Sequence, residues 1–302
     1  MISERLLLSF CNKRVFSVKK VNVPLIELNS RKIRQLLPKR KADSHKGDYG
    51  RVLLLCGAEG YTGAPVLAAK AAARTGAGLI FVGVPRSVYP IVAGNLIEPM
   101  VFPLPDQNGM LSEDAIPMIL SRLSNMDACL IGCGLGRSHG TKAVVEAVLR
   151  SAACPVILDA DGINVLSEHI DILRDAVCPV ILTPHEGEFL RIGGELTSRL
   201  RGVKKMAKDL GVTILLKGHE TLICGKGCYK NRTGNPGMAT GGSGDALSGI
   251  ILALLGQGMP PTQAAAVGAW LHGRAGDLCA EEMGQMAMLP SDLIETLPRL
   301  LP

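Results

Sequence analysis

The 302-residue sequence predicts an α/β fold of three layers, a mainly parallel central sheet with helices on both sides. Three observations carry that expectation. Short runs rich in Val, Ile and Leu alternate with helical patterns. The runs are apolar on both faces, as parallel strands buried beneath helices are. Aromatic residues make up only 3% of a chain that is 47% hydrophobic, so the core must be aliphatic and alanine-rich.

The elements follow in order along the chain. RVLLLCG (51–57) reads as a strand ending in glycine, with a helix after it through APVLAAKAAARTG. GLIFVGVP (78–85) is the next strand. DACLIGCGLG (127–136) is a strand running into a glycine turn, and KAVVEAVLRSA continues as a helix. PVILDADG (155–162) and PVILTPHEGE (179–188) are strands with polar residues at their C-terminal ends. A helix through LRGVKKMAKDLG precedes the strand VTILLKG (212–218). ETLICGKGCYKN (220–231) reads as a hairpin turning at Gly225 and Gly227. Helices over 244–257 and 261–280 follow. No repeat or linker interrupts 50–302, so residues 41–302 read as one domain behind a basic segment, 1–40.

The basic segment holds eleven Lys/Arg against two Glu in residues 1–41, leaving 22 Lys/Arg against 25 Asp/Glu in the rest. A slightly acidic body excludes a general nucleic-acid binder. The segment reads as a solvated face on a first helix. Glu4, Glu27 and the apolar run VNVPLIEL count against a targeting leader. LLLSF is too short for a secretory signal, and the longest apolar runs fall short of a membrane span. The nine cysteines include no CxxC pair, and Cys56, Cys129, Cys133 and Cys154 sit in or beside apolar runs. They are expected to be buried free thiols, not disulfides or zinc ligands, in a cytoplasmic chain.

In a sheet of this kind ligands bind beyond the carboxyl ends of the strands. Gly134, Gly136, Asp159, Asp161, His185, Glu188 and Lys217 all fall there. The stretch TGNPGMATGGSGD (233–245) places five glycines ahead of one acid. Gly241, Gly242 and Gly244 let backbone N–H groups turn inward as an anion nest, and the helix starting there adds its positive end. A carboxylate beside a bound phosphate repels it, so Asp245 calls for a reason. Accepting a proton from a hydroxyl that attacks the phosphate supplies one; GSGD alone also fits an acid that merely complements the helix dipole.

Neither GxxxxGKS/T nor GxGxxG occurs, and GCGLGRSHG (132–140) serves as a strand-to-helix turn or as a ligand contact. KGHET (217–221) puts Lys217 at a strand end, where it neutralises phosphates or simply leaves the strand as a surface lysine. TPHEGE (183–188) offers carboxylates for a magnesium ion or a capped helix start. Asp159 and Asp161 of DADGIN share a face if the strand continues through them. Lys46 in SHKGDYG is a weaker anion contact.

GNPGMATGGSGDALSGI together with KGHET, TPHEGEF, DADGIN, HKGDYGRVLLLCG and GAPVLAAKAAARTGAGLI resembles the NAD(P)H-hydrate dehydratase family from about residue 40 onward. The resemblance implies a ribokinase-like three-layer α/β/α fold and a repair reaction. The hydroxyl of hydrated NADH or NADPH (the S epimer) is phosphorylated, and loss of phosphate restores the ring double bond. It implies Asp245 as the base, and Ala64, Gly134, Gly136 and His185 around the hydrate. It implies Lys217, Gly218, His219, Glu220, Thr221, Gly241, Gly242, Ser243 and Gly244 around the nucleotide. Related kinases carry Asn-x-x-Glu where this chain has His185-x-x-Glu188; Glu188 keeps the metal role, toward Mg2+. TPHEGE resembles the bacterial branch, which implies ADP as donor, converted to AMP, with ATP as the alternative. A homo-oligomer, a tetramer among the options, is expected. The forty residues ahead leave no room for the epimerase domain often fused to such chains, so a stand-alone form is expected. The competing readings are a small-molecule kinase of the same fold, for a sugar, hydroxymethylpyrimidine or thiazole, and a nucleotide sensor without turnover.

Overall fold

Alternation along Arg51–Leu55 shows how the sheet is buried. Val52 and Leu54 enter one apolar core, Leu53 and Leu55 the other, and all four are fully buried. A strand with two apolar faces needs a helical layer on each side, and the computed structural model, which describes residues 24–302, has that arrangement. The basic stretch over 1–23, with LLLSF and Glu4, lies outside the described residues.

Among the described residues the strands are β1 (Leu25–Glu27), β2 (Arg51–Leu55), β3 (Leu79–Pro85), β4 (Met100–Leu104), β5 (Asp106–Gln107) and β6 (Met110–Leu111). They continue as β7 (Ala128–Ile131), β8 (Val156–Leu158), β9 (Val180–Leu182), β10 (Thr213–Leu216), β11 (Thr221–Cys224) and β12 (Cys228–Asn231). Ten form one sheet in the order β1-β12-β11-β10-β9-β8-β7-β2-β3-β4, and β5 pairs with β6 apart from it. Every pairing in the large sheet is parallel except the two made by β11, the middle of a meander.

The helices are α1 (Ser30–Leu36), α2 (Gly63–Arg74), α3 (Tyr89–Ala93), α4 (Ile116–Leu123), α5 (His139–Ser151) and α6 (Asp161–Asn164). After them come α7 (Glu186–Arg191), α8 (Arg199–Leu210), α9 (Ser243–Gly256), α10 (Pro261–Met283) and α11 (Pro290–Thr296). Helices α1, α2, α9, α10 and α11 line one core; α4, α5 and α8 line the other. Among the described residues no helix is long and apolar enough to cross a membrane.

Strand β1 comes from the run VNVPLIEL and pairs with β12, and Ile33 of α1 is buried. Residues 25–27 therefore extend the sheet, and α1 packs against α10.

Helix α9 is buried continuously from Ala246 to Gly256, so it needs small contacts on its neighbours. Helix α2 supplies them, at Ala68 in particular. A Cβ at Gly249 would stand 2.1 Å from the carbonyl oxygen of Ala68. Gly249→Ala is therefore expected to destabilise the protein by about 1–3 kcal/mol in urea unfolding, despite alanine's better helix propensity. An unchanged midpoint would remove this contact as the reason for the glycine.

The cysteine expectation needs one correction. Cys56, Cys129, Cys133, Cys154, Cys178 and Cys279 are buried free thiols, but Cys224 and Cys228 form a disulfide. The hairpin register sets them directly opposite each other, with Cα atoms 4.4 Å apart. A spacing of four hides a pair that only the antiparallel pairing brings together.

Candidate active site

Strands β2, β7, β8, β9 and β10 are contiguous and parallel, so their carboxyl ends form one rim. Cys56, Cys133, Asp159, Thr183 and Lys217 follow those ends. The start of α9 reaches the same rim from the helical layer.

Gly242 caps α9 in the left-handed region, at φ +92°, and contributes no side-chain hydrogen bond. A Cβ there would meet Leu67 at 2.4 Å. Glycine thus turns the chain into the helix while leaving its first N–H groups without a capping side chain. Ser243 is oriented by His272 Nε2 at 3.3 Å. Burial lowers the His272 pKa to about 4, outweighing its bond with Ser243, so the imidazole is neutral. Asp245 and Ser248 are three residues apart, hence on one helical face.

That face meets Asp159, which is 1% exposed. Its Oδ1 accepts from Lys217 Nζ at 2.9 Å and from the N–H of Ala160 at 2.9 Å. Its Oδ2 accepts from the Ser248 hydroxyl at 2.8 Å and from the Cys133 thiol at 3.7 Å. Gly132 allows the approach, since a Cβ there would sit 1.9 Å from the Asp159 carbonyl oxygen. Ala160 takes φ +48°, a costly conformation for alanine, right behind this carboxylate. Burial opposes the charge on Asp159, yet Lys217 and the hydrogen bonds overcome it and hold its pKa below the usual value. Burial likewise opposes the Lys217 ammonium, and Asp159 and Glu188 outweigh it and raise its pKa. The pair is charged.

Asp245 behaves differently. Burial first, and then the Asp159 charge, raise its pKa to about 6; the Cys133 thiol and Lys217 pull the other way. Ligand atoms of Cys133, Asp159 and Asp245 lie within 4.8 Å of one another. Asp159 is already saturated by an ammonium, a hydroxyl and an amide, so the group reads as a proton-handling cluster. A Cβ at Gly244 would be 3.4 Å from Lys217 Nζ, which places the ammonium against the helix start.

His185 and Glu188 form a capping box on α7. His185 Nδ1 accepts from the N–H groups of Gly187 and Glu188 at 3.0 and 3.3 Å, and Glu188 Oε2 accepts from the His185 N–H at 2.9 Å. The ring of His185 is exposed and Glu188 is 4% exposed. Its other oxygen is 3.6 Å from His185 Nε2.

The KGHET loop is tied to the TPHEGE turn by Arg199 of α8. Its Nη1 donates to the His219 carbonyl at 2.8 Å, and its Nε lies 3.0 Å from Glu186 Oε1 without an aligned hydrogen bond. Gly218 has φ +138° and Glu220 φ +57°. Glu220 is ion-paired with Lys230 and Arg232, at 2.5 and 3.2 Å, and Thr221 donates to the Gly218 carbonyl. Ala64 and Gly134 face each other, a Cβ at Gly134 falling 3.0 Å from that of Ala64. Asp161 is part of the turn, not a partner of Asp159. Its Oδ2 accepts from the Gly136 N–H at 3.0 Å and its Oδ1 from Arg137 Nε at 3.0 Å. The strand ends before Asp159, so the shared face expected for the two acids does not arise.

The rim thus joins Lys217, Gly244 and Asp245 with Asp159. Cys133, Ser248 and His272 were not singled out for the site from the sequence. Ser248 has a signal in its three-residue spacing from Asp245. Cys133 has one in its place between two turn glycines. His272 sits in an alanine-rich helix and has none.

The sheet order, the two helical layers and the glycine entry to α9 define a ribokinase-like three-layer protein. An ADP/ATP-dependent NAD(P)H-hydrate dehydratase from Bacillus subtilis, co-crystallised with ATP/Mg2+, superposes with a TM-score of 0.78 at 34% identity, covering 93% of this chain and 98% of that one. A family model described as NAD(P)H-hydrate dehydratase matches residues 52–299, and the chain belongs to that family. The bifunctional NAD(P)H-hydrate repair enzyme Nnr of Moorella thermoacetica is 45% identical over 276 residues, 89% of this chain and 52% of that protein. The chain therefore spans about half the length of the bifunctional relatives it matches. The ADP-dependent (S)-NAD(P)H-hydrate dehydratase of Neisseria meningitidis serogroup B is 36% identical over 274 residues, 87% of this chain and 88% of that protein.

Proposed function

We propose that this chain dehydrates the S epimer of NADH or NADPH hydrate, with ADP as phosphoryl donor and AMP and phosphate as by-products. The observation that carries the reading is Asp245, a half-buried carboxylate with its pKa raised to about 6, in the first turn of a helix that starts in a glycine nest. Such an acid is poised to take a proton near neutral pH.

Asp245 accepts the proton of the ring hydroxyl as its oxygen attacks the terminal phosphorus of ADP. The bond from that phosphorus to the bridging oxygen breaks and AMP leaves. The phosphorylated ring then expels phosphate, pushed by the ring-nitrogen lone pair, and loss of a neighbouring proton restores the double bond. Hydroxide is a poor leaving group and phosphate a good one, so the phosphoryl group lowers the dehydration barrier. The protein positions the reactants and stabilises charge. The N–H groups of Gly241–Gly244, at the entry to α9, and the Lys217 ammonium face the phosphates; Gly218–Thr221 hold the rest of the nucleotide. Ala64, Gly134, Gly136 and His185 border the hydrate.

In this reading a magnesium ion would accompany the nucleotide. Glu188 offers one buried carboxylate toward it through water, and such sites pair one or two carboxylates with substrate phosphates. The ion would supply charge neutralisation on the phosphates. The same reading keeps a homo-oligomer and the cytoplasm. Among the described residues, the buried free thiols support a reducing compartment, and the Cys224–Cys228 disulfide counts against it.

Incubation with NADH hydrate, magnesium and ADP or ATP tests the function. NADH, AMP and free phosphate are expected with ADP. A stable phosphorylated product without NADH would make the chain a kinase, and no recovery of NADH with either donor would reject the dehydratase. The rate is expected to rise about tenfold per pH unit below pH 6 and to level above it, because only ionised Asp245 is a base. A pH–kcat/KM profile from 5 to 8 reads this directly.

A further inference from the structure

Cys133 lies at the tip of β7 between two glycines held at positive φ, Gly132 at +132° and Gly134 at +59°. That turn aims the side chain inward, where it is fully buried. Its sulfur stands among the oxygens of Asp159 and Asp245, all within 4.8 Å of one another, and donates to Asp159 Oδ2 at 3.7 Å. Two carboxylates this close repel each other.

We propose that Cys133 is a positioning residue for Asp245: its thiol is the neutral donor standing between the two acids, and it sets how basic the second one is. The inference rests on the reading of Asp245 as the base.

The groups facing Asp245 make the choice of a thiol intelligible. Lys217, at the end of β10, is committed to Asp159 and has Glu188 beyond it. Ser248, on α9 itself, donates to Asp159 Oδ2. His272 of α10 is neutral and bonded to Ser243. Cys56, at the end of β2, is a buried free thiol on the same rim. Cys133 therefore sets a neutral S–H, donated to Asp159 Oδ2, beside the Asp245 carboxylate. The Cys56 side chain and then burial push its own pKa well above the usual thiol value, so it does not become a third anion. A thiol is also a weak donor. It eases the repulsion without trapping Asp245 as a strongly stabilised, non-basic anion.

The test compares Cys133→Ser, Cys133→Ala and Cys133→Val in the full chain, with pH–kcat/KM profiles and the KM for ADP. Valine keeps a comparable side-chain volume without a donor; serine keeps a donor in a smaller side chain. Alanine and valine are expected to move the acid limb upward by about half a pH unit. Serine is expected to leave it at or below the wild-type position, with KM for ADP unchanged in all three. If Cys133 only fills space, valine will match wild type while serine and alanine fail together, and the proposal is overturned. A limb that stays put in both alanine and valine overturns it too, and leaves Asp245 as base untouched. If the wild-type profile has no limb near pH 6, both readings fall.

Discussion

Asp245→Asn is expected to lower kcat by roughly 10²–10⁴-fold, the usual worth of a positioned general base. Asparagine keeps the shape but cannot take the hydroxyl proton at any pH in the working range. Nucleotide affinity is expected to hold or tighten, since the substitution removes a negative charge from the first turn of α9, beside the phosphate nest. The split between a lost kcat and a retained Kd separates a chemical role from a structural one. Steady-state repair of NADH hydrate with ADP, alongside equilibrium binding of ADP, measures both. A variant keeping more than about a tenth of wild-type turnover would contradict the assignment.

Asp159→Ala is expected to destabilise the fold by about 3 kcal/mol, because it leaves the partly buried Lys217 ammonium without its main partner. The Ser248 hydroxyl and the Ala160 N–H lose an acceptor in the same step. Lys217→Met is expected to cost a similar amount by stranding the carboxylate. Combining Lys217→Met with Asp159→Ala is expected to cost much less than the sum, since neither charge is then buried alone. Urea unfolding of the three variants reads the coupling. Additive losses would mean that the 2.9 Å ion pair is not what holds the strand ends together. Any folded Asp159→Ala protein should also show a lower Asp245 pKa, because a raising charge has gone.

These effects depend on contacts that local patterns do not contain. The parallel strands were legible because their apolar runs have two buried faces. The β11–β12 hairpin was legible from its turn glycines. Strand β4 was not, since MVFPL carries a proline and lies at the sheet edge, where burial is partial. Strand β1 is three residues long and owes its existence to β12, about two hundred residues away.

The site divides the same way. Glycines 241, 242 and 244 and Asp245 stand together in the chain, and their geometry follows from glycine's freedom and a helix start. Asp159 and Lys217 are 58 residues apart and meet only because β8, β9 and β10 lie side by side. Cys133 joins them from β7 for the same reason. Asp161 was misleading because the strand stops at Leu158, short of the acid, and the chain turns at Ala160. His185-x-x-Glu188 shows one motif serving as a helix cap whatever else it does.

Repair by phosphorylation requires that the ring hydroxyl attack phosphorus and leave as phosphate. Carrying 18O in that hydroxyl tests the requirement most directly. With ADP, magnesium and the wild-type chain, the label is expected in the inorganic phosphate, one atom per NADH restored. Label appearing in water while NADH is recovered would mean direct dehydration, and neither Asp245 as base nor the glycine nest as phosphate cradle would then stand.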